Sequence, residues 1–462
     1  MIASFAPPSP ASPAPGEETG SPAWKWIASG VAAIGIVIAA DAYLSRGPEP
    51  VAERPWQLPQ PVLGAASYAE ALETVNAQVA RKQALAASSG DDWVRQEELA
   101  LALIDRFRLT GDYDDLAGAR AAIERGMQLA EPPGGPVLAG AEIALASHRL
   151  RQAQLALARF AEWVAPARSE SAEAAALAGD IAFYRGDMSG ARDQYSRAQA
   201  IDPTGLSLRT AVIDMAQGNF EAAIHGTRSW LEERKRPSPH TVATTALRIG
   251  AIELARGNVA EARRRFEEAN RVFPGYWLIE AHVAQSAAIA GNPAGGIDLM
   301  RKAAERSGSP EAMDALAMLL RTFGQPEESR AWARRAGDAW DRRIELAPEA
   351  AYGHAVEHEL VFGTPARALA LARRNLAARP YGEARVLMAS ALVQNGRNAA
   401  ALDQLDMAEA GGWRSAPLYA LRAEILALEG NRAAAQKARA AALALNPRIF
   451  DRETALVWFS HG

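Results

Sequence analysis

The sequence predicts an all-α protein in which helical hairpins stack into a right-handed solenoid, preceded by one transmembrane helix. Alanine is abundant while Val, Ile and Thr are sparse, so the composition favours helices over strands. A glycine-marked pattern of small, aromatic and proline residues recurs along most of the chain. One apolar run near the N-terminus is long enough to cross a bilayer. These three observations define the predicted architecture.

The N-terminal region contains a polar tail followed by an apolar segment. Residues 1–23 are rich in Pro, Ala and Ser and are predicted to be disordered, because they offer few large apolar groups. Residues 24–44 would form a helix about 31 Å long, which matches the hydrocarbon thickness of a bilayer. Trp24, Trp26 and Tyr43 stand at its two ends, as interfacial anchors do. We therefore predict a single transmembrane helix.

Other interpretations of the apolar segment remain open. A cleaved signal peptide is one alternative, although the region before the apolar run lacks a basic character. A buried core helix is another. Basic residues are nearly balanced on the two sides, so the orientation rests on the simplest topology, with the tail in the cytoplasm and the larger part in the periplasm. Residues 45–66 are rich in proline and predict a semi-extended linker.

Two copies of the recurring pattern share six positions with the same spacing. The first copy has Gly179, Gly186, Ala191, Tyr195, Ala198 and Pro203. The second copy has Gly250, Gly257, Ala262, Phe266, Ala269 and Pro274. The glycines allow a close helix approach and a turn, and the alanines let two helices pack with little volume between them. The aromatic residue fills the space toward the next unit, and the proline ends the second helix.

These residues and their order resemble the tetratricopeptide repeat, a helical hairpin of 34 residues. Weaker copies are marked by Gly111, Gly218, Gly291, Gly324, Gly363, Gly396 and Gly430. Residues 137–170 lack a marker glycine but carry two helical apolar stripes. Together the copies predict about ten hairpins within a solenoid over 67–449, with a leading helix over 67–88.

Three features depart from a regular repeat. The segment 233–240 lengthens one junction, and the helix through 331–348 overruns a standard second helix, so either is expected to kink or divide the solenoid. Residues 450–462 are apolar for a chain terminus. We expect them to form a C-terminal cap on the last hairpin.

The sequence offers little for catalysis or cofactor binding. It contains no cysteine, which excludes disulfides and thiolate metal sites, and no phosphate loop, dinucleotide fingerprint or nucleophile elbow. The segment His354–His358, HAVEH, matches the inverted zinc-protease pattern, with Glu357 beside the two histidines. No partner motif supplies a third ligand, so solvation or packing is the favoured interpretation. We predict no enzymatic activity, no metal and no cofactor.

The resemblance implies a binding surface on the inner face, which is lined chiefly by the first helix of each hairpin. The predicted groove residues are Asp180, Phe183, Tyr184, Leu208, Met215, Gln285, Asp314, Met318, Arg321, Glu357, Glu383 and Glu424. They describe apolar patches with scattered acids, which suit a peptide segment with basic flanks. Carboxylate-clamp and asparagine-ladder relatives are disfavoured, because the predicted inner positions lack their Lys, Arg and Asn sets.

The predicted function is that of a membrane-anchored scaffold that binds proteins or peptides in the bacterial envelope. Such a layout resembles envelope assembly factors and chaperone helpers. A structural subunit of a membrane complex is the main alternative, and a zinc metallopeptidase using HAVEH is another. The net charge of −4, with acids and bases interspersed, argues against nucleic acid as a partner. No small-molecule substrate is predicted, and a cytoplasmic solenoid remains the alternative location.

Overall fold

The computed structural model describes residues 56–163 and 166–458, which form 21 α-helices and one short 3₁₀-helix, with no strand among them. The first eleven helices are α1 (Tyr68–Ser88), α2 (Trp93–Thr110), α3 (Tyr113–Leu129), α4 (Val137–Ala146), α5 (Leu150–Phe160), α6 (Arg168–Tyr184), α7 (Met188–Ile201), α8 (Ser207–Ala216), α9 (Phe220–Glu232), α10 (Pro239–Ala255) and α11 (Val259–Val272). The others are α12 (Trp277–Ile289), α13 (Pro293–Ser307), α14 (Pro310–Thr322), α15 (Pro326–Leu346), α16 (Pro348–Val361), α17 (Pro365–Ala378), α18 (Gly382–Gln394), α19 (Asn398–Ala410), α20 (Ala416–Leu428) and α21 (Arg432–Leu445), followed by the 3₁₀-helix Arg452–Leu456.

Consecutive helices pair into ten hairpins, from α2–α3 to α20–α21, and α1 packs against α2. We call the first helix of each hairpin helix A and the second helix B. Helices A of neighbouring hairpins also contact each other, as α4 contacts α6 and α18 contacts α20. The last three helices A begin at Pro348, Gly382 and Ala416, which are 34 residues apart. The predicted all-α solenoid of tetratricopeptide-like hairpins is therefore confirmed, as is the leading helix.

The marker glycines lie in the turns between helix A and helix B. Gly186 has a φ of 81° and Gly257 a φ of 85°, in the left-handed region that favours glycine. The same region holds Gly111, Gly218, Gly291, Gly324, Gly396 and Gly430. The hairpin without a marker glycine places His148 at this turn position, with a φ of 55°. Gly363 is not among the left-handed residues.

The small residues of the pattern lie where the two helices of a hairpin approach most closely. A Cβ atom on Gly179 would stand 2.4 Å from the ring of Tyr195, and one on Gly250 would stand 2.4 Å from the ring of Phe266. Ala191 and Ala262 have no exposed surface. The aromatic side chain of helix B therefore fills the space that the glycine of helix A leaves open, which explains the spacing of the pattern.

Turns of the early hairpins contact helix ends of the late ones. The Tyr113 hydroxyl donates to the Ala350 carbonyl over 3.3 Å, and the Arg343 guanidinium donates to the Gly111 carbonyl over 3.2 Å. Further along, the backbone N–H of Arg414 donates to the Ala216 carbonyl over 2.8 Å. Successive turns of the superhelix thus touch each other. Part of the apolar core lies between these turns, where residues of α2 and α3 share a cluster with residues of α16.

The irregular elements do not divide the solenoid. Helix α15 spans 21 residues and overruns the other helices B, as predicted, and the junction between α9 and α10 runs from Glu233 to Ser238. Residues on both sides of each feature remain in contact, and residues 59–458 belong to one compact unit. The expectation that these features separate two stacks is therefore wrong for the described part of the chain.

The segment after α21 departs from the predicted cap. Phe450 does pack on the last hairpin, beneath the Arg439 guanidinium at 3.8 Å. The chain then turns inward, and its 3₁₀-helix contacts α12 and α14 in the middle of the solenoid. The backbone N–H of Trp458 donates to Oε1 of Gln285 over 2.5 Å. Because successive turns of the superhelix lie close together, the segment reaches helices far from the last hairpin in sequence.

The predicted transmembrane segment, 24–44, the tail before it and the first part of the linker lie outside the described residues. Among the helices from α1 onward, none combines the length and the apolar character needed to span a bilayer.

Candidate functional site

Five of the predicted groove residues gather around one cavity. It has a volume of about 510 Å³ and lies on the inner side of the first half of the solenoid. Helices A of five successive hairpins contribute to its wall, namely α2, α4, α6, α8 and α10. The predicted residues in the wall are Asp180, Phe183, Tyr184, Leu208 and Met215. The structure therefore brings these five residues together in one wall, and their role in binding a partner stays a prediction.

Helix α8 presents an apolar face to the cavity. Leu208, Val212 and Met215 all line it, and their spacing of four and three residues places them on one side of the helix. Val212 is 47% exposed. This face is available for contact with an apolar ligand group.

Phe183 and Tyr184 support the cavity rather than stand free in it. The Phe183 ring lies 6.0 Å from the Tyr381 ring, and the Tyr184 ring lies 5.4 Å from the same ring, measured between centroids. Phe183 is only 7% exposed. The two aromatic residues of α6 thus pack against the next turn of the superhelix. Both were predicted as groove residues, and in the structure they line the cavity while packing mainly against Tyr381.

His148 lies in the cavity wall beside Tyr184, with 5.0 Å between the ring centroids. The Arg379 guanidinium lies 2.8 Å from Nε2 of His148, and because arginine only donates, this nitrogen accepts. Burial, the Arg379 charge and His354 hold the pKa of His148 well below 6.5. The imidazole is therefore neutral and carries its proton on Nδ1, which has no hydrogen-bond partner among the residues described.

The carboxylate of Asp180 is held by its neighbours. It accepts from the Tyr195 hydroxyl over 2.7 Å and from Nε of Arg209 over 3.1 Å. Burial raises the pKa of Asp180, although Arg209 and the Tyr195 hydrogen bond both lower it. Arg209 also binds Glu173 over 2.7 Å. This network joins α6, α7 and α8 and leaves Asp180 engaged within the protein.

The cavity wall contains three arginines and two carboxylates. Arg108 pairs with Glu142 at 3.1 Å, and Arg209 pairs with Asp180. Arg248, on α10, makes no hydrogen bond or ion pair with any residue in the described ranges. Burial lowers the pKa of Arg248 below its usual value, Tyr276 opposes this, and the Arg234 charge lowers the pKa further. Arg248 is therefore the charged side chain of the wall that has no partner of opposite charge among the described residues.

Three of the other predicted groove residues lie in the core. Asp314 has no exposed surface and accepts from Nε1 of Trp340 over 2.8 Å, while it contacts His358 at 2.7 Å. Gln285 is 1% exposed beneath Trp458, and Met318 is 4% exposed. The prediction that these three residues lie on an open groove is wrong. Their helices, α12 and α14, are covered there by helix B side chains and by the C-terminal segment. In this conformation a partner does not reach them.

The remaining predicted residues are half-buried and mostly engaged. The Arg321 guanidinium donates to the Val361 carbonyl over 3.1 Å. Glu357 contacts Nδ1 of His354 at 2.9 Å, and Glu383 accepts from the Tyr381 hydroxyl over 2.5 Å. Glu424 is half-buried. None of these four lines the cavity. Selection of basic flanks by Glu357, Glu383 and Glu424 stays a prediction.

The HAVEH segment lies on α16, where its histidines have different surroundings. His354 contacts Glu357 and stacks on Trp340, with 5.8 Å between the ring centroids. His358 faces Asp314 on α14. Burial lowers the pKa of His358, but the hydrogen bond and charge of Asp314 outweigh it, so the pKa is raised above 6.5. No group of three His, Asp or Glu side chains suited to a metal ion occurs in 56–163 or 166–458.

The repeat pattern missed several residues of the cavity wall. Val212 and Arg248 lie on helices A, so a fuller use of the helical period would have indicated both. His148 replaces the marker glycine of its hairpin, and no pattern identifies it. Its position depends on contacts with Arg379, 231 residues later in the chain.

Known proteins resemble this chain only weakly. No protein-family model matches the chain, and no curated protein is similar to it in sequence. Among solved structures, a tetratricopeptide repeat protein from Parabacteroides merdae is 14% identical, with a TM-score of 0.34, and the match covers 55% of this chain and 95% of that one.

Two further solved structures match longer parts of the chain. A Rap protein complexed with competence and sporulation factor is 11% identical, with a TM-score of 0.41 and coverage of 67% of this chain and 96% of that one. A human IFIT1 dimer with m7Gppp-AAAA is 14% identical, with a TM-score of 0.39 and coverage of 76% and 89%. On the basis of its own ten hairpins, the described part of this chain is a tetratricopeptide-like repeat solenoid.

Proposed function

We propose that this protein is a scaffold that binds a peptide segment of a partner protein in the cavity lined by α2, α4, α6, α8 and α10. One observation carries the proposal: α8 exposes Val212 beside Leu208 and Met215 in the wall of a cavity of about 510 Å³. A cavity of this size with an apolar face and a few polar groups is typical of a binding site. Stacked helices A supply the extended inner surface that repeat solenoids use for binding.

The setting of the proposed function comes from the sequence. Residues 24–44 would anchor the chain in the inner membrane and 45–66 would separate the solenoid from the bilayer, with the solenoid in the periplasm. In that setting the scaffold would serve as an assembly factor or chaperone helper for envelope proteins. The chain would act by binding and not by catalysis. A permanent subunit of a membrane complex is the alternative use of the same surface.

Site-specific photocrosslinking in native membranes tests the proposal. A photoreactive phenylalanine analogue at Val212 should form adducts with a partner, because this side chain is exposed inside the cavity. Leu155, on helix B α5, is the matched control, since it is also apolar and 57% exposed but does not line the cavity. Adducts at both positions alike, or at Leu155 alone, would contradict the proposed site.

A further inference from the structure

The charge balance of the cavity indicates the chemistry of its ligand. Both carboxylates of the wall are bound within the protein, Glu142 by Arg108 and Asp180 by Arg209. Arg248 therefore contributes a positive charge for which the described residues provide no counter-ion. A half-buried guanidinium is stabilised when a carboxylate binds it, because the pair replaces lost hydration with charge-assisted hydrogen bonds.

The surroundings of Arg248 strengthen this argument. The neighbouring groups with an electrostatic effect on it are Arg234 and Tyr276, and His240 is affected by its charge in turn. Arg234 is itself engaged, since it donates to the Trp230 carbonyl over 2.7 Å and lies over the Trp230 ring. None of these groups neutralises Arg248. This end of the cavity is therefore electropositive.

A second polar group of the wall also lacks a partner. Nδ1 of the neutral His148 carries a proton and finds no acceptor among the described residues. A buried donor without an acceptor is unfavourable by about 1–3 kcal/mol. Nδ1 is fully buried, so the groups that the cavity itself presents are the free Arg248 guanidinium and, beside it, the apolar face of α8. Such a wall complements a ligand with acceptor oxygens beside apolar groups.

We propose that the cavity binds a peptide segment carrying an aspartate or glutamate next to apolar residues, with Arg248 donating hydrogen bonds to that side-chain carboxylate. This rests on the proposed function, because it requires that the cavity binds peptides. An acidic ligand is the opposite of the one expected from the sequence, where acidic groove residues were predicted to select peptides with basic flanks. The acids that the pattern placed on the groove are mostly engaged with neighbouring side chains, whereas the free charge in the cavity is a cation.

Selection from a phage library of random 12-residue peptides tests the ligand chemistry. The peptides are fused through their C-termini, so they present no terminal carboxylate and any acid that is selected is a side chain. The immobilised protein is the full-length chain in detergent. Peptides that lose binding on Val212→Asp define the cavity-dependent set. We expect this set to be enriched in Asp or Glu beside apolar residues, and selection on Arg248→Gln to lose that enrichment.

Affinities of a selected peptide then measure the contribution of Arg248. By fluorescence anisotropy, Arg248→Gln should weaken binding about tenfold, as expected for a hydrogen bond to a charged group. Arg248→Lys should retain part of the affinity. Replacing the acidic residue of the peptide by its amide should weaken binding to the wild type as much as Arg248→Gln weakens binding of the acidic peptide. Arg151→Gln on α5 is the matched control, because Arg151 is exposed and outside the cavity wall.

The outcomes separate this proposal from the one on which it rests. Cavity-dependent peptides without acidic enrichment, or with equal affinity for Arg248→Gln, would overturn the role of Arg248 and leave the peptide-binding function standing. Absence of any peptide that depends on Val212 would overturn both. The thermal melting temperature of Arg248→Gln should equal that of the wild type, because no described hydrogen bond is removed, so a loss of binding cannot be attributed to unfolding.

Discussion

At the scale of single residues, His148 has three roles: it forms a turn, packs between two parts of the solenoid and lines the cavity. It takes a left-handed conformation that marker glycines adopt in other hairpins, and its ring joins Tyr184 to Arg379. A bulky residue in this conformation is uncommon and unfavourable by about 1–2 kcal/mol. The contacts of the ring with the next superhelical turn offset that strain.

We expect His148 to make the fold sensitive to acid. Its folded-state pKa lies well below 6.5, because of burial, Arg379 and His354, whereas the unfolded chain would bind a proton near pH 6.5. As the pH falls below 6.5, only the unfolded state gains the proton, so stability decreases by up to about 1.4 kcal/mol per pH unit until the folded pKa is reached. The effect is absent above pH 7.

Urea unfolding of the wild type and of His148→Asn between pH 8 and pH 5 measures this contribution. Asparagine tolerates the left-handed conformation, so the variant keeps the turn. The stability advantage of the wild type should shrink as the pH falls. His358 is present in both proteins, so its contribution to the pH dependence cancels in the comparison. That contribution has the opposite sign, because the pKa of His358 is raised. An advantage that is constant or grows toward pH 5 would show that His148 is protonated in the folded state.

At the scale of elements, the turns between helix A and helix B have two structural roles. All the marker glycines except Gly363 provide the left-handed residue that joins the two helices. Some of these turns also contact a later part of the solenoid. Gly257 lies against Asn446, whose side-chain amide donates to the Ala255 carbonyl over 3.1 Å, whereas Gly291 has open space around it.

Alanine substitutions at these two glycines should separate the roles. Gly291→Ala should lower the free energy of unfolding by about 1–2 kcal/mol, because alanine is strained at a φ of 89°. Gly257→Ala should lower it further, because its Cβ would stand 2.3 Å from Oδ1 of Asn446 and displace a bonded side chain. Urea unfolding measures both. Equal losses for the two variants would mean that the contact between turns adds no stability.

At the scale of the whole molecule, the superhelix is wound so tightly that distant hairpins stabilise each other. Tyr381 contacts Phe183 and Tyr184, and Ala350 contacts Tyr113. In a more open solenoid each repeat interacts only with its neighbours. Here the contacts between turns place part of the core between repeats that are remote in sequence. Unfolding should therefore be more cooperative than in a solenoid held together only by contacts between neighbouring repeats.

The C-terminal segment adds a further long-range contact, and its loss should be measurable. Trp458 is 8% exposed and packs near Phe362, with 5.9 Å between the ring centroids. Trp458→Ala should lower the free energy of unfolding by about 3 kcal/mol, as for other large buried aromatics. Val457→Ala, at a half-buried position, serves as the control and should have a smaller effect. Unchanged thermal melting of Trp458→Ala would show that the segment is not docked in solution.

Local sequence determined the elements of this protein. The spacing of Gly179, Ala191 and Tyr195 reflects contacts inside one hairpin, so it predicted the hairpins, the leading helix and several side chains on helix A. These properties depend on the helical period, on glycine at a left-handed turn and on the volume between two adjacent helices. Each of these factors acts within a few tens of residues, so the pattern can be recognised from the sequence alone.

Only the tertiary structure decided which of those side chains a ligand could reach. The pitch of a superhelix depends on small rotations summed over many repeats, and no local pattern encodes their total. Winding brought Tyr381 onto Phe183, placed Trp458 over Gln285 and left Arg248 without a counter-ion in the cavity wall. The unpaired charge of Arg248 is thus a property of the assembled superhelix, because it depends on how neighbouring helices pair their acids and bases.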